Sequence, residues 1–407
     1  MLYWLAFLVV RPLIAPYAVS LGASTTQSAL LVSSSAIIAF FAALPVGNRM
    51  DRVDPRDVTV IGSVMMFGAG LLLVAIPGWV GLLVSQLLLG VGSLMVWLSI
   101  QDLMARGPRS QGREVHIDSH RRHRQIVNYT MFVAVGQLTG PVIGGWIADD
   151  AGARTAFVAF LIMCAVMVGF AVFYPRLSEE QAALAQGARS LGQSFGDGKR
   201  LATHPAGRAM IVVSFLTLWV TDLRVSFLAL VLQEAGMSLA RAGSYLSLAA
   251  GLAILSRPLL PVLLRRLGMS MTTAVCLVPG ALLLSGVALT TEPWLLLVLI
   301  TGHGLCIGLA QPLTLSMVAV VVTERRRGVG LAGRLMANRA AQWAAPVGLA
   351  ALGAALPVGA AFAVAVGASA PFGLLAAVRS RTALSAPPWD GEAVARRRSA
   401  EDDTPAA

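Results

Sequence analysis

The sequence predicts an all-α integral membrane protein with twelve transmembrane helices in two related six-helix halves. Composition, the number of long apolar segments and an internal repeat lead to this prediction. Hydrophobic residues make up 57% of the chain and charged residues only 13%, whereas an ordinary soluble domain has about 25% charged residues. This composition is typical of proteins that expose much of their surface to lipid.

Twelve apolar segments are long enough to cross the hydrocarbon core of a bilayer, which takes about 20 helical residues. Backbone groups in lipid must hydrogen-bond to one another, so each segment is predicted to be a helix. The segments are approximately 2–21, 28–47, 57–76, 79–101, 127–147, 155–174, 209–232, 242–264, 270–290, 294–322, 331–355 and 358–378.

The two halves repeat the same residue types at the same spacing. In and after the fifth span, Gln137, Pro141 and Phe157 are separated by 4 and 16 residues, and the eleventh span begins the same series with the same separations. Such a repeat indicates one six-helix unit that occurs twice. We therefore predict a first bundle at 1–174, a cytoplasmic linker at 175–208, a second bundle at 209–378 and a disordered cytoplasmic tail at 379–407.

The net charge of +11 comes from basic residues that lie almost entirely on one side of the predicted membrane. With the N-terminus in the cytoplasm, 25 of the 31 Lys and Arg residues face the cytoplasm and two face the other side. This is the positive-inside rule, and it predicts a multi-pass protein of the cell membrane with both termini cytoplasmic. The charge is thereby explained without a nucleic acid partner, and the expected surroundings are the lipid bilayer.

The fifth span carries a regular series of glycines. Gly136, Gly140 and Gly144 are four residues apart, and Pro141 and Gly145 complete the series. Glycines at this spacing form a flat stripe where a neighbouring helix can approach closely, and proline bends the helix. The series matches, at every fixed position, the G-x-x-x-G-P-x-x-G-G pattern of helix five in proton-coupled exporters of the major facilitator superfamily.

Over about residues 1–380 the chain resembles this superfamily, and within it the twelve-helix drug–proton antiporters that act in multidrug efflux. The resemblance implies the major facilitator fold, in which two six-helix bundles rock about a central site and expose it to alternate sides of the membrane. We expect a monomer that binds a small-molecule substrate and protons and has no cofactor.

The loop after the second span provides a second resemblance. Four residues match the family's G-x-x-x-D-R-x-G-R-R loop, namely Gly47, Asp51, Arg52 and Arg56. Asp54 and Pro55 depart from the pattern. In the family this loop latches the cytoplasmic side of the transporter, and we expect Asp102, at the cytoplasmic end of the fourth span, to pair with Arg52 or Arg56. The alternative is a solvated basic loop.

A third family motif is incomplete. Where the drug–proton antiporters carry an Arg on helix four, four residues before a G-x-G, this chain has Gln86 before Gly90 and Gly92. In the family that Arg is thought to assist proton coupling, so proton antiport is less firmly implied than the fold. Arg11 on the facing first span is the candidate to replace it.

Ionisable side chains at membrane depth are costly and mark transport sites. Asp222 is the one carboxylate well inside an apolar span, and it is our candidate proton carrier. Asp222 and Arg224 are two residues apart and point to nearly opposite sides of a helix, so we expect Asp222 to meet Arg11 across the cavity. The alternative is a static buried ion pair that holds the first and seventh spans together.

Further residues of the spans complete the candidate site. Histidine titrates near neutral pH, so His303 could carry protons or simply hydrogen-bond a neighbour. Residues 116–123 include His and Asp, but the arginines beside them would repel a cation, and we predict no metal site. The cavity is expected to be mainly apolar, lined by Tyr17, Gln137, Asp222, Phe227 and Gln311.

These features predict a secondary active transporter and not an enzyme. Its expected activity is efflux of small amphiphilic compounds or drugs by proton antiport, which would confer antibiotic resistance. An exporter or carrier of a small organic anion is the alternative, because Arg11 and Arg224 could hold a carboxylate between the halves. A non-transporting membrane enzyme or sensor is disfavoured, since no nucleophile and base lie together at one membrane depth.

Overall fold

A computed structural model describes residues 1–50, 53–106, 115–173, 199–323, 327–383 and 389, with the backbone alone at 43–45, 47–50, 101–106, 115–131 and 327–328. In this part of the chain, helices occupy all twelve predicted positions. They are α1 (Leu2–Ser20), α2 (Thr25–Met50), α3 (Pro55–Ala75), α4 (Trp79–Arg106), α5 (Val115–Ala151), α6 (Ala153–Phe173), α7 (Pro205–Glu234), α8 (Leu239–Ser256), α9 (Leu260–Val287), α10 (Pro293–Val321), α11 (Arg327–Gly353) and α12 (Val358–Ala383).

Nine helical stretches of the described residues are long and apolar enough to cross a membrane. One of them, Leu239–Val287, has 49 residues and contains the eighth and ninth predicted spans. Gly268, inside α9, divides the two spans, so the eighth span consists of α8 and the start of α9. The φ of Gly268, 72°, breaks the helical path and is accessible to glycine at little cost. The fifth and eleventh predicted spans lie outside the nine stretches, yet both are helical and pack against other helices. Large apolar side chains such as Phe170, which is 71% exposed, face outward, as lipid contact requires.

The same tripeptide, Arg-Pro-Leu, bends two helices. It forms a single 3-10 turn inside α1, at Arg11–Leu13, and another between α8 and α9, at Arg257–Leu259. Proline lacks an N–H and cannot complete the α-helical bonding pattern, so the helix tightens there. In α1 the turn lies in the middle of the span, and it places Arg11 at the bend.

The halves α1–α6 and α7–α12 meet along three helix pairs: α1 with α7, α2 with α11, and α5 with α8. The connections at 21–24, 76–78, 152, 235–238, 288–292 and 354–357 lie on one face, which we call the arginine-poor face. Hydrogen bonds join the halves at this face. The Thr26 hydroxyl donates to the Ala350 carbonyl at 3.1 Å, and Asp149 accepts from two amides of α8.

The segments around the second bundle differ in part from the prediction. α7 begins at Pro205, four residues before the predicted span, because proline is well suited to the first helical position. At the other end, α12 continues through Ala383, and Trp389 is 6% exposed. The Trp389 amide donates to the Val321 carbonyl at 2.8 Å. Residues 379–383 of the predicted tail therefore belong to α12, and Trp389 contacts the end of α10; the other residues of the predicted tail lie outside the described residues.

Candidate functional site

Arg11 lies at the centre of a polar cluster between the two halves. Its guanidinium donates to the Ser35 hydroxyl on α2 and to the Ser226 hydroxyl on α7, each at 3.0 Å. Its third bond goes to Oδ1 of Asp222 on α7, at 3.2 Å. The Phe7 ring lies 5.8 Å from the guanidinium carbon, close enough for a cation–π contact. The Arg11 side chain, carried by α1, thus bonds to α2 of its own half and to α7 of the other half.

Asp222 forms an ion pair with Arg11, as the sequence predicts. The Asp222 side chain is 7% exposed and that of Arg11 is 6% exposed, so water screens the pair little. Oδ1 accepts the bond from Arg11, whereas Oδ2 has no partner among the described residues. Arg339 on α11 lies within electrostatic range of this carboxylate and donates to Gln342 at 2.9 Å. One oxygen of the buried carboxylate is therefore open to a proton or a ligand.

Arg224 points away from this cluster, as its separation of two residues from Asp222 requires. It is 7% exposed, and its Nε and Nη1 have no described partner. His303 on α10 lies within electrostatic range of it. The His303 Nδ1 is 2.8 Å from the Gly280 carbonyl, which can only accept, so Nδ1 carries the hydrogen and Nε2 is left without a described partner. Arg224 and His303 form a second buried polar group, inside the second half.

Gln311 is bonded to Arg334, one of the 25 basic residues predicted to face the cytoplasm. Arg334 on α11 donates from Nη2 to the Gln311 side chain at 2.9 Å and from Nε to Thr314 at 2.8 Å. Arg334 is 8% exposed. Gln311 and Thr314 are three residues apart and share one face of α10. This spacing of two acceptors in the sequence could have predicted that a donor from a neighbouring helix binds there.

The aromatic candidates pack against neighbouring residues. Phe227 is fully buried within the hydrophobic core. Tyr17 is half-buried, and its ring meets that of Phe157 edge-on at 4.9 Å. Gln137 is half-buried on α5.

Gln86, at the position of the family's arginine, is fully buried, and neither polar atom of its side chain is bonded to a described residue. The sequence departure therefore leaves an unsatisfied buried amide on α4.

The sequence and the fold now agree on one family. Residues 1–291 match the Major Facilitator Superfamily. The chain belongs to this superfamily. No match is found among the curated proteins.

Solved structures of several transporters share the fold of this chain. A POT family transporter in complex with 5-aminolevulinic acid aligns with a TM-score of 0.72 and 14% identity, over 94% of this chain and 95% of that chain. The nucleoside transporter NupG gives 0.72 and 15% over 95% and 98%, and a D-xylose-proton symporter gives 0.70 and 15% over 93% of each chain. These likenesses confirm the predicted all-helical membrane fold, and the family match confirms the predicted superfamily.

The superfamily's helix-five glycines lie at backbone contacts. A β-carbon added at Gly136 would lie 2.9 Å from the Leu5 amide, and one at Gly140 would lie 2.8 Å from the Leu8 side chain. At Gly144 it would lie 2.3 Å from the Val9 carbonyl oxygen. These three glycines therefore let α5 lie directly against α1 of the same half.

The last glycine of the series contacts the other half. A β-carbon at Gly145 would lie 2.3 Å from the Leu239 carbonyl oxygen at the start of α8. One at Gly243 on α8 would lie 2.2 Å from the carbonyl oxygen of Pro141. One turn beyond Gly145, Asp149 accepts from the Leu239 and Ala240 amides at 2.8 and 2.9 Å. A carboxylate at a helix N-terminus is favourable, and it holds the two halves together here.

The superfamily's loop motif is only partly described. Asp51 and Arg52 lie outside the described residues. Gly47 in α2 is described by its backbone alone, and the side chain of Asp102 in α4 is also outside the description. Arg56 is described, and it donates to the Ala171 and Val172 carbonyls at the end of α6. A guanidinium favours the negative end of a helix. The His and Asp side chains at 116–123, for which we predict no metal site, also lie outside this description.

The departures from the loop pattern have a local cause. Asp54 accepts a bond from the Arg56 amide at 2.8 Å, and Pro55 is the first residue of α3. Aspartate at the N-cap and proline at the first helical position are both favourable. The two substitutions therefore start α3.

Proposed function

We propose that this protein exports small amphiphilic compounds in exchange for protons, by alternating access. The ion pair between Arg11 and Asp222 is the observation on which the proposal rests. It joins α1 of the first half to α7 of the second at 3.2 Å, at membrane depth, where ionisable side chains are costly and are kept for function. The glycine series on α5 supports export, because it matches the helix-five pattern of the proton-coupled exporters.

Protonation of Asp222 provides the coupling step. The unpartnered Oδ2 is the oxygen that receives the proton, because Oδ1 already accepts from Arg11. Neutralisation removes the Coulomb attraction between Asp222 and Arg11, and the bond from the arginine cation to a neutral carboxylic acid is weaker than its bond to a carboxylate. Arg11 keeps its bonds to Ser35 and Ser226. One proton therefore weakens the interaction between α1 and α7, and loss of the proton restores it.

We propose residues 1–174 and 209–378 as the two rocking bundles. The described contacts between them at the arginine-poor face, including those of Thr26 and Asp149, correspond to the state closed on that side. With the basic face in the cytoplasm, this state takes substrate from inside the cell. Rocking must break these contacts to release it outside. The D-xylose-proton symporter is a solved example of the same fold whose transport is named as proton-linked.

Transport in reconstituted vesicles tests the proposal. The purified protein is placed in vesicles with an imposed pH gradient, and movement of a fluorescent amphiphilic dye is followed. We expect gradient-driven transport that Asp222→Asn abolishes, while the variant retains a monodisperse size-exclusion profile. Glu292→Gln, which neutralises an exposed loop carboxylate, should transport normally. Equal transport by the wild type and Asp222→Asn would remove this carboxylate from the mechanism.

A carrier of small organic anions is the second candidate, and the buried Arg224 favours it. Two nitrogens of its guanidinium have no described partner, and an unpaired buried cation is costly unless a ligand or water meets it. A carboxylate that accepts from Nε or from Nη1 would satisfy one of the two nitrogens, because they point to opposite edges of the guanidinium. Competition separates the candidates: anionic compounds should inhibit transport by an anion carrier, and Arg224→Met should relieve that inhibition. Inhibition by cationic compounds alone would exclude it.

A further inference from the structure

Two cavities follow one another along the contact between α5 and α8. The first, a shallow cavity of about 360 Å³ that opens to the surface, is lined by residues of α5 from Leu138 to Ile143 and of α8 from Ser244 to Leu248. The second, of about 600 Å³, is lined by Trp146 to Ala151 of α5 and by Ala240 of α8. Because they occupy successive turns of the same helix pair, we treat them as one site and call it the seam groove. Both volumes are in the range of small-molecule sites, about 300–1,000 Å³.

The end of the seam groove at Leu138 is mainly apolar, and one of its polar atoms has no partner among the described residues. Leu138, Val142, Ile143 and Leu248 supply most of its wall. Ser247 also lines it, is 4% exposed, and has a hydroxyl that bonds to no described residue. A buried hydroxyl without a partner costs free energy that a ligand's polar atom would recover. This end therefore suits a hydrocarbon chain and can bond one polar group on it.

The other end of the seam groove is acidic and aromatic. Trp146 is 62% exposed, and Asp149 and Asp150 are both exposed. Asp149 already accepts two amides of α8, whereas Asp150 has no ion pair or hydrogen bond to a described residue. Arg154 donates to the Val74 carbonyl on α3. A free carboxylate beside an exposed indole attracts a cation by charge and by cation–π contact.

The two ends are spaced as an amphiphile in one leaflet requires. Leu138 and Asp150 are 12 residues apart on α5, which is about 18 Å at about 1.5 Å per residue. Half of the hydrocarbon core is about 15 Å thick. The acidic end lies near the end of α5, at the arginine-poor face, where tryptophan is favoured at the membrane–water interface. The apolar end then lies near the membrane centre.

We propose that the seam groove binds an alkyl-chain amphiphile with a cationic head group. The head group lies between Asp150 and Trp146, and the chain follows Val142 and Ile143 toward Ser247. This inference goes beyond the proposed function: the head group lies at the arginine-poor face, which is closed to substrate from inside the cell in this state, so the ligand enters the groove from the bilayer. The groove is built from one helix of each half, so a ligand in it contacts both halves and must leave or move when they separate.

Photolabelling tests the site without requiring transport. The protein in phosphatidylcholine nanodiscs is labelled with an alkyltrimethylammonium that carries a diazirine on its chain, and labelled peptides are mapped by mass spectrometry. We expect labelling within 138–151 and 240–248, with competition by dodecyltrimethylammonium and none by dodecyl sulfate. Even labelling of all lipid-facing helices, or equal competition by both detergents, would overturn the proposal.

Matched variants locate the two ends of the ligand. Asp150→Lys should reduce labelling about fivefold or more, as loss of about 1 kcal/mol requires, while Glu292→Lys at the same face should not. Ser247→Trp should fill the apolar end and prevent labelling, while Ile162→Trp, at a 59% exposed position on α6, should not. If Asp150→Lys fails to fold, Asp150→Asn replaces it, and unchanged labelling would then refute the head-group assignment.

The vesicle assay keeps the two proposals separate. Labelling confined to the seam groove without gradient-driven transport would contradict the proposed function and leave the binding site established. Gradient-driven transport without labelling in the groove would support the proposed function and refute the seam groove as a ligand site.

Discussion

Gly145→Ala should open the contact between the two halves at the arginine-poor face. A β-carbon at Gly145 would lie 2.3 Å from the Leu239 carbonyl oxygen, 3.0 Å from its carbon and 3.3 Å from the Ala240 α-carbon. All three atoms belong to the backbone of α8 and cannot rotate away. Gly169 on α6 is the matched control, because a β-carbon there would meet nothing within 4 Å.

The size of the effect follows from this geometry. An ordinary carbon–oxygen contact is about 3.3–3.6 Å, so α5 and α8 must separate by about 1 Å. Overpacking of this kind costs about 1–3 kcal/mol. Alanine also favours a helix over glycine by about 0.5–1 kcal/mol, but α5 is helical in both states and this gain cancels. A difference of about 1–3 kcal/mol shifts the equilibrium between closed and open states by about 5–150-fold.

Distance measurements between spin labels can detect this shift. Labels at Ser24 and Ala355, which are both exposed on the arginine-poor face, report on the α2 and α11 ends. The background carries alanine in place of the native cysteines. In Gly145→Ala the long-distance population should rise at the expense of the short one, while Gly169→Ala should match the parent. An unchanged distribution in Gly145→Ala would refute the claim that this close approach holds the halves together.

Three further variants test neighbouring parts of the structure. Asp149→Ala removes two hydrogen bonds that cap α8, worth about 1 kcal/mol; the same spin labels should report more of the open state, and an identical distribution would contradict a latch. Arg334→Met leaves two acceptors on α10 unpaired and should lower the thermal unfolding temperature in detergent, whereas Arg208→Met, at an exposed site, should not. Gly144→Ala clashes with α1 within one half, so it should lower the unfolding temperature relative to Gly169→Ala while leaving the spin-label distances unchanged. Altered distances in Gly144→Ala would show that this contact also acts between the halves.

The sequence by itself determined the helices, the superfamily and one contact between the halves. Apolar length and the cost of unpaired backbone in lipid act along the chain, so the twelve spans can be located without tertiary information. The glycine series is equally local. The partner of Asp222 was predictable because few ionisable residues lie inside apolar spans, and a buried carboxylate requires one of them.

Only the tertiary structure decided which faces of these helices meet. Gln311 bonds to Arg334, Asp149 caps α8, and Phe227 lies in the core. The residue type of each is also compatible with other locations, so the sequence alone does not place it. The groove between α5 and α8 likewise required both helices to be placed. These contacts depend on the rotation of each helix about its axis and on its neighbours, which close packing sets in the membrane. The spacing of apolar residues in the sequence predicts this rotation poorly, because lipid-facing and core-facing positions are both hydrophobic.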